Sequence, residues 1–149
     1  MSETPPTENV AGLRRLMEER GLDAYLVPSA DPHQTEYAHA HWRCRAWLTG
    51  FTGSAGTAVV LKDAAGLWTD GRYFIQAEQE LAGSGVDLFK DRMAGVPAMI
   101  DWTLASVPDG GSVGVDGRLV SSARAQDWEL KLAKKNIRLV LKFDLISPI

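Results

Sequence analysis

Thr57-Ala58-Val59-Val60-Leu61-Lys62-Asp63-Ala64-Ala65-Gly66-Leu67-Trp68-Thr69-Asp70-Gly71-Arg72-Tyr73-Phe74 is the stretch that decides the fold. Thr57 to Leu61 reads as a strand rich in β-branched residues. Lys62 to Gly66 brings the chain back, and Leu67-Trp68-Thr69 reads as the second strand of a hairpin. Asp70 then carries the short acceptor side chain of a helix N-cap. Beyond it Phe74, Ala77 and Leu81 recur at the spacing of one buried helical stripe.

The alternation continues outward in both directions. Upstream, Val10, Leu13, Leu16 and Met17 repeat at helical spacing, with Thr7 in place to cap. Gly21 stands where a helix commonly stops in a left-handed conformation, and Leu22 to Val27 follows as a short apolar strand closed by Pro28. Downstream, Val86 to Phe89 reads as a strand. Val96-Pro97 opens a helix with proline at its first position and Ile100, Leu104 and Val107 facing inward. Ser112 to Val115 is the next strand. Ser121 or Ser122 caps a helix that runs to Asn136 on an inner face of Ala125, Trp128 and Leu132, and Arg138 to Phe143 is the last strand. Strands alternating with helices, plus one hairpin, predict an α/β domain: a mixed sheet of about six strands with helices on its faces. Residues 1–9 read as a flexible segment, 10–144 as the domain, and 145–149 as the start of a linker.

Composition limits what such a domain does. Of 149 residues 45% are apolar and 23% charged, ordinary for a globular chain able to bury most of its apolar surface. A net charge of −3 argues against a general affinity for nucleic acid or anionic membranes. No apolar run approaches the roughly 18 residues needed to span a bilayer. The polar start lacks the layout of a secretory signal, and the single cysteine, Cys44, cannot form an internal disulfide. A cytoplasmic location is the simplest expectation.

The search for chemistry returns mostly negatives. Ser29 to Thr49 is a long polar and aromatic stretch holding His33, His39, His41, Arg43, Arg45, Trp42 and Trp47. The three histidines have no HExxH, CxxC or carboxylate partners at ligand spacing, which favours a loop-packing role over a metal site. Gly50, Gly53 and Gly56 are spaced GxxGxxG and lead into a strand, so no helix N-terminus is offered to a phosphate; a tight turn is the better reading. Ser54 is not in a GxSxG elbow, and Asp31, Glu36, Asp70 and Glu78 lie on separate elements. No residue is assigned as catalytic or metal-binding. Arg72 stands apart, because a guanidinium in a helix's first turn is mildly disfavoured by the dipole. Position leaves it open between reaching a carboxylate or carbonyl and pairing at the surface with Asp70.

Three ordered motifs carry a resemblance. They are Pro28-Ser29-Ala30-Asp31-Pro32-His33-Gln34-Thr35-Glu36-Tyr37, Gly50-Phe51-Thr52-Gly53-Ser54-Ala55-Gly56-Thr57-Ala58, and Leu67-Trp68-Thr69-Asp70-Gly71-Arg72-Tyr73-Phe74-Ile75-Gln76-Ala77; Val113-Gly114-Val115-Asp116 adds a weaker fourth. Together they resemble the N-terminal domain of the creatinase/aminopeptidase P family, above all the cytosolic three-domain Xaa-Pro aminopeptidases. The resemblance implies a creatinase/prolidase N-terminal fold from about Val10 to Phe143. It also implies a parent enzyme that releases the N-terminal residue from peptides with proline second. Such enzymes use a dinuclear metal centre, usually manganese, in a C-terminal pita-bread domain whose ligand motifs do not occur in these residues. The chain alone is therefore expected to be inactive and to hold no cofactor of its own. Its implied partners are its own catalytic domain, short proline-containing peptides and a second copy in a homodimer, with no nucleic acid and no membrane. Its implied work is to narrow the active-site entrance. By the same likeness Arg72 maps onto the arginine that reaches substrate, and His33 is a second, weaker substrate-binding candidate. A free-standing peptide- or protein-binding module of the same fold is the alternative.

Overall fold

The computed structural model describes residues 6–27, 49, 56–69, 71–91, 93–115 and 122–141; the side chains of Pro6, Thr7 and Arg72 are outside that set. Among these residues the strands are β1 (Ala24–Val27), β2 (Thr57–Leu61), β3 (Ala65–Thr69), β4 (Asp87–Lys90), β5 (Ser112–Val115) and β6 (Arg138–Val140). The helices are α1 (Pro6–Arg20), α2 (Phe74–Leu81), α3 (Met99–Ser106) and α4 (Ser122–Leu132). The strands form one six-stranded sheet in the order β4-β3-β2-β1-β5-β6. β2 runs antiparallel to both β1 and β3, and the β3–β4, β1–β5 and β5–β6 pairs are parallel. The mixed six-stranded α/β sheet anticipated above is the observed fold.

Alternation along each strand sends side chains to two cores. Tyr25 and Val27 of β1, Ala58 and Val60 of β2 and Leu67 of β3 join Val10, Leu13 and Met17 of α1 and Ala77 and Leu81 of α2. The intervening Ala24, Leu26, Val59, Leu61 and Trp68 join Met99 and Ile100 of α3 and Trp128 and Leu132 of α4. Two helices thus cover each face. Fully burying a Leu or Met contributes about 1.5–3 kcal/mol, so Leu13 and Met17 alone hold α1 firmly on the sheet. Arg14 adds a directional tie, its Nε donating to the Leu61 carbonyl at 2.8 Å. Partial burial there lowers the Arg14 pKa, against the opposing charge of Asp63.

Two helix ends close in the same way. Gly21 is left-handed (φ 70°), the Leu22 N–H donates to the Met17 carbonyl at 2.8 Å and the Gly21 N–H to that of Glu18 at 3.2 Å. This is the six-to-one, five-to-two pattern of a Schellman stop, sealed by the buried Met17 and Leu22. After α4 and the 3-10 turn Ala133–Lys135, Asn136 takes the left-handed position (φ 55°), and Ile137 N–H donates to Leu132 O at 3.1 Å.

Several boundaries depart from the sequence reading. α1 begins at Pro6, so Thr7 lies inside the helix rather than ahead of it. β1 begins at Ala24 because Leu22 is consumed in closing α1. β3 begins at Ala65, not Leu67: Leu61 N–H donates to Ala64 O at 2.8 Å, which tightens the turn and draws Gly66 into the ladder opposite Val59. α3 begins at Met99, because Ala98 is extended (ψ 153°) and the Pro97 carbonyl is taken by the indole N–H of Trp68 at 2.9 Å. Val107 is buried as expected, as the residue that ends α3. β6 is described only to Val140.

Candidate functional site

The pairing register brings strand residues that border or belong to the motifs to one edge of the sheet. Val27 ends β1 opposite Ala58 at the start of β2, and Thr57 lies opposite Trp68 near the end of β3. Thr69 ends β3 beside Lys90, the last residue of β4, and Leu26 pairs with Val115 at the end of β5. The carboxyl ends of β1, β3, β4 and β5 therefore share this edge with the amino end of β2. In open α/β sheets that edge is where ligands bind. Val27 precedes the first motif in the chain, Thr57 and Ala58 end the second, Leu67 to Thr69 begin the third, and Val113 to Val115 of the fourth lie in β5.

Arg72 is placed at this edge by a tight turn. The residues Gly71–Tyr73 form a 3-10 turn between β3 and α2. The N-cap of α2 is Tyr73, with no side-chain capping bond, so the expected cap at Asp70 is corrected: the helix opens three residues later. Arg72 accordingly stands in the 3-10 turn ahead of α2 rather than in the first turn of the helix. α2 is held down by Ala77 and Leu81; Phe74 is only half-buried and Ile75 is exposed.

A charged contact braces this turn from the neighbouring strand. The ammonium of Lys90 lies 2.8 Å from Glu78 Oε1 and 5.6 Å from the centre of the Phe74 ring. Phe74 in turn lies over Gly71, its Cε2 being 3.9 Å from where a Cβ would sit on that glycine. The backbone of Asp91 donates to Thr69 O at 3.0 Å, tying the two strand ends together. Sequence reasoning named Glu78 as an isolated carboxylate and did not single out Lys90. The only usable signal is that Lys90 closes a strand parallel to the one leading into Arg72, and that emerges from pairing, not from spacing.

The remaining sequence candidates fall differently. His33, His39, His41, Cys44, Ser54, Asp31, Glu36 and Asp70 lie outside the described residues. Among the described residues no group of three His, Cys, Asp or Glu side chains gathers in a way that could hold a metal. They do not fit the dinuclear centre that the resemblance implies for the parent enzymes. No helix among them is long and apolar enough to cross a membrane. Arg124 packs its guanidinium on the Trp128 ring at 4.8 Å, and burial lowers its pKa.

The model of the Creatinase/Prolidase N-terminal domain matches residues 10–141. Aminopeptidase P2 of Arabidopsis thaliana is 45% identical over 140 residues, which is 93% of this chain and 20% of that protein. Similar shares hold for further relatives, so the chain spans about a fifth of the length of the curated relatives it matches. Among solved structures, the X-prolyl aminopeptidase from Caenorhabditis elegans, a cytosolic enzyme with a di-nuclear active site, superposes with a TM-score of 0.85 at 29% identity, covering 99% of this chain and 26% of that one. The N-terminal domain of the cytoplasmic peptidase PepQ from Mycobacterium tuberculosis shares the fold, with a TM-score of 0.68 at 23% identity, covering 95% of this chain and 98% of that one.

Proposed function

The chain belongs to the family of creatinase/prolidase N-terminal domains, and from this premise we propose that it is the non-catalytic N-terminal domain of an Xaa-Pro aminopeptidase. It narrows the entrance to the active site, favours short peptides with proline second, and takes part in dimer contacts. The observation that carries this reading is the 45% identity to Arabidopsis aminopeptidase P2 over 93% of the chain. The position of the Gly71–Tyr73 turn at the carboxyl edge of the sheet supports a substrate-facing role for Arg72. A guanidinium there offers several fixed N–H donors to a peptide carbonyl or carboxylate. His33 is proposed as a second substrate contact, on the strength of its motif alone. The dinuclear metal, proposed to be manganese, belongs to the C-terminal catalytic domain, and the enzyme is proposed to act in the cytoplasm.

Kinetics of the full-length enzyme test this reading. Arg72→Ala is expected to lower kcat/KM on an Xaa-Pro peptide about tenfold to a hundredfold, the loss of one charge-assisted contact worth roughly 1.5–3 kcal/mol. The isolated 149-residue chain is expected to release no residue from the same peptide with manganese added. Turnover by the isolated chain, or unchanged kinetics of the variant, defeats the proposal. A free-standing binding module of the same fold is the second reading, since a fold does not by itself fix function. A reading frame continuing past Ile149 into metal-ligand motifs supports the first reading; a stop codon there supports the second.

A further inference from the structure

We infer that Lys90 is a positioning residue for substrate binding, acting through the turn that carries Arg72. The inference rests on the substrate-facing reading of Arg72. Four relationships surround that turn. Lys90 ends β4 directly beside Thr69, the last residue of β3 before the turn. Its ammonium is 2.8 Å from Glu78 on α2 and 5.6 Å from the ring of Phe74, the first residue of α2. An edge of that ring lies 3.9 Å from where a Cβ would sit on Gly71, the residue before Arg72. Lys90 thus ties the end of β3 to the start of α2, the two elements that flank the turn.

The clamp has reason to exist. α2 is one of the shorter helices, has no side-chain cap at its start, and buries only Ala77 and Leu81 among its residues, both beyond its first turn. Its amino end, where Arg72 enters, is held only by the partly buried Tyr73 and Phe74 rather than by fully buried side chains. The Lys90–Glu78 pair is partly exposed, with side-chain exposures of 43% and 54%, so it adds little to global stability. A contact too weak to matter for folding can still restrict a turn whose geometry matters to binding, since small misplacements are costly in oriented contacts.

A double-mutant cycle in the full-length enzyme tests this. Lys90→Met keeps the aliphatic stem over Phe74 and removes the charge. We expect it to lower kcat/KM about threefold to tenfold in the native background, in line with the loss of one ion pair and one cation–π contact. In the Arg72→Ala background the same change is expected to have no effect, and Lys90→Arg is expected to restore most of the activity. The melting temperature of the domain is expected to stay within about 2 °C, as for a surface pair. Equal losses in both backgrounds, or no loss in either, overturn the inference while leaving the role of Arg72 standing. A loss that follows a fall in melting temperature, and that Lys90→Arg does not recover, also overturns it. Unchanged kinetics of Arg72→Ala itself removes the reading beneath it, an outcome distinct from the others.

Discussion

The indole of Trp68 lies flat against the ring of Phe89, with 4.2 Å between centroids and 7° between planes, across the parallel ladder of β3 and β4. Trp102 of α3 meets Trp68 edge-on at 5.1 Å and lies tilted to Phe89 at 5.3 Å. The stack is pinned by the Trp68 N–H on the Pro97 carbonyl, which also sets where α3 begins. It covers the outer part of the sheet on the face opposite α2, so β4 is held to β3 by more than its backbone bonds.

The stack depends on what lies beneath it. A Cβ on Gly66 would come within 2.7 Å of Phe89 and 2.8 Å of Trp68, closer than packed atoms tolerate. Gly66→Ala is expected to destabilise the domain by about 1–3 kcal/mol, the range for overpacked cores. Thermal melting should show a fall of roughly 2–4 °C per kcal/mol, and an unchanged melt would mean the rings yield freely.

Asp23 joins α1 to the far side of the sheet. Its Oδ2 accepts the Ser112 N–H at 2.9 Å and its Oδ1 pairs with Lys62 at 3.1 Å, while its own N–H donates to Ser112 O. Ser112 is buried, so Asp23→Ala strands a donor and is expected to cost about 1–3 kcal/mol. Asp23→Asn retains an acceptor and should cost clearly less. Lys62→Ala removes a largely exposed partner and should lie within about 1 kcal/mol of the parent. Denaturant midpoints of the three variants rank these expectations.

Lys135 ends one helix by capping another. Its ammonium reaches Leu104 O at 2.8 Å and Val107 O at 2.7 Å, the orphan carbonyls at the end of α3. Asp109, at 3.9 Å and mostly exposed, is a minor partner. Lys135→Met is therefore expected to lose about 1–2 kcal/mol, and Asp109→Ala almost nothing. Hydrogen exchange should show α3 fraying first in the lysine variant.

Arg72 offers a chemical test beyond truncation. If its fork of donors matters, Arg72→Lys in the full-length enzyme should recover only part of the activity lost in Arg72→Ala, because a point charge cannot reproduce paired donors. Full recovery would assign the residue a purely electrostatic role, visible as a salt dependence of kcat/KM.

The alternation of helical and strand periods was readable from the chain, as were the stop at Gly21, the inner face of α4 and the motifs that identify the family. Each depends on neighbours a few residues apart, where side-chain spacing and backbone preference act directly. Boundaries depart from the sequence reading where another segment intervenes: the Pro97 carbonyl, ahead of α3, is taken by Trp68, and the Leu61–Ala64 bond draws Gly66 into β3, beneath two rings that leave no room for a Cβ. The strand order, the meeting of Val27, Thr57, Thr69 and Val115 at one edge and the Lys90–Glu78 pair near the Gly71–Tyr73 turn are decided only by the tertiary structure. Sheet register is selected by burying both faces at once. That condition couples residues far apart in sequence and leaves no periodic trace in any one segment.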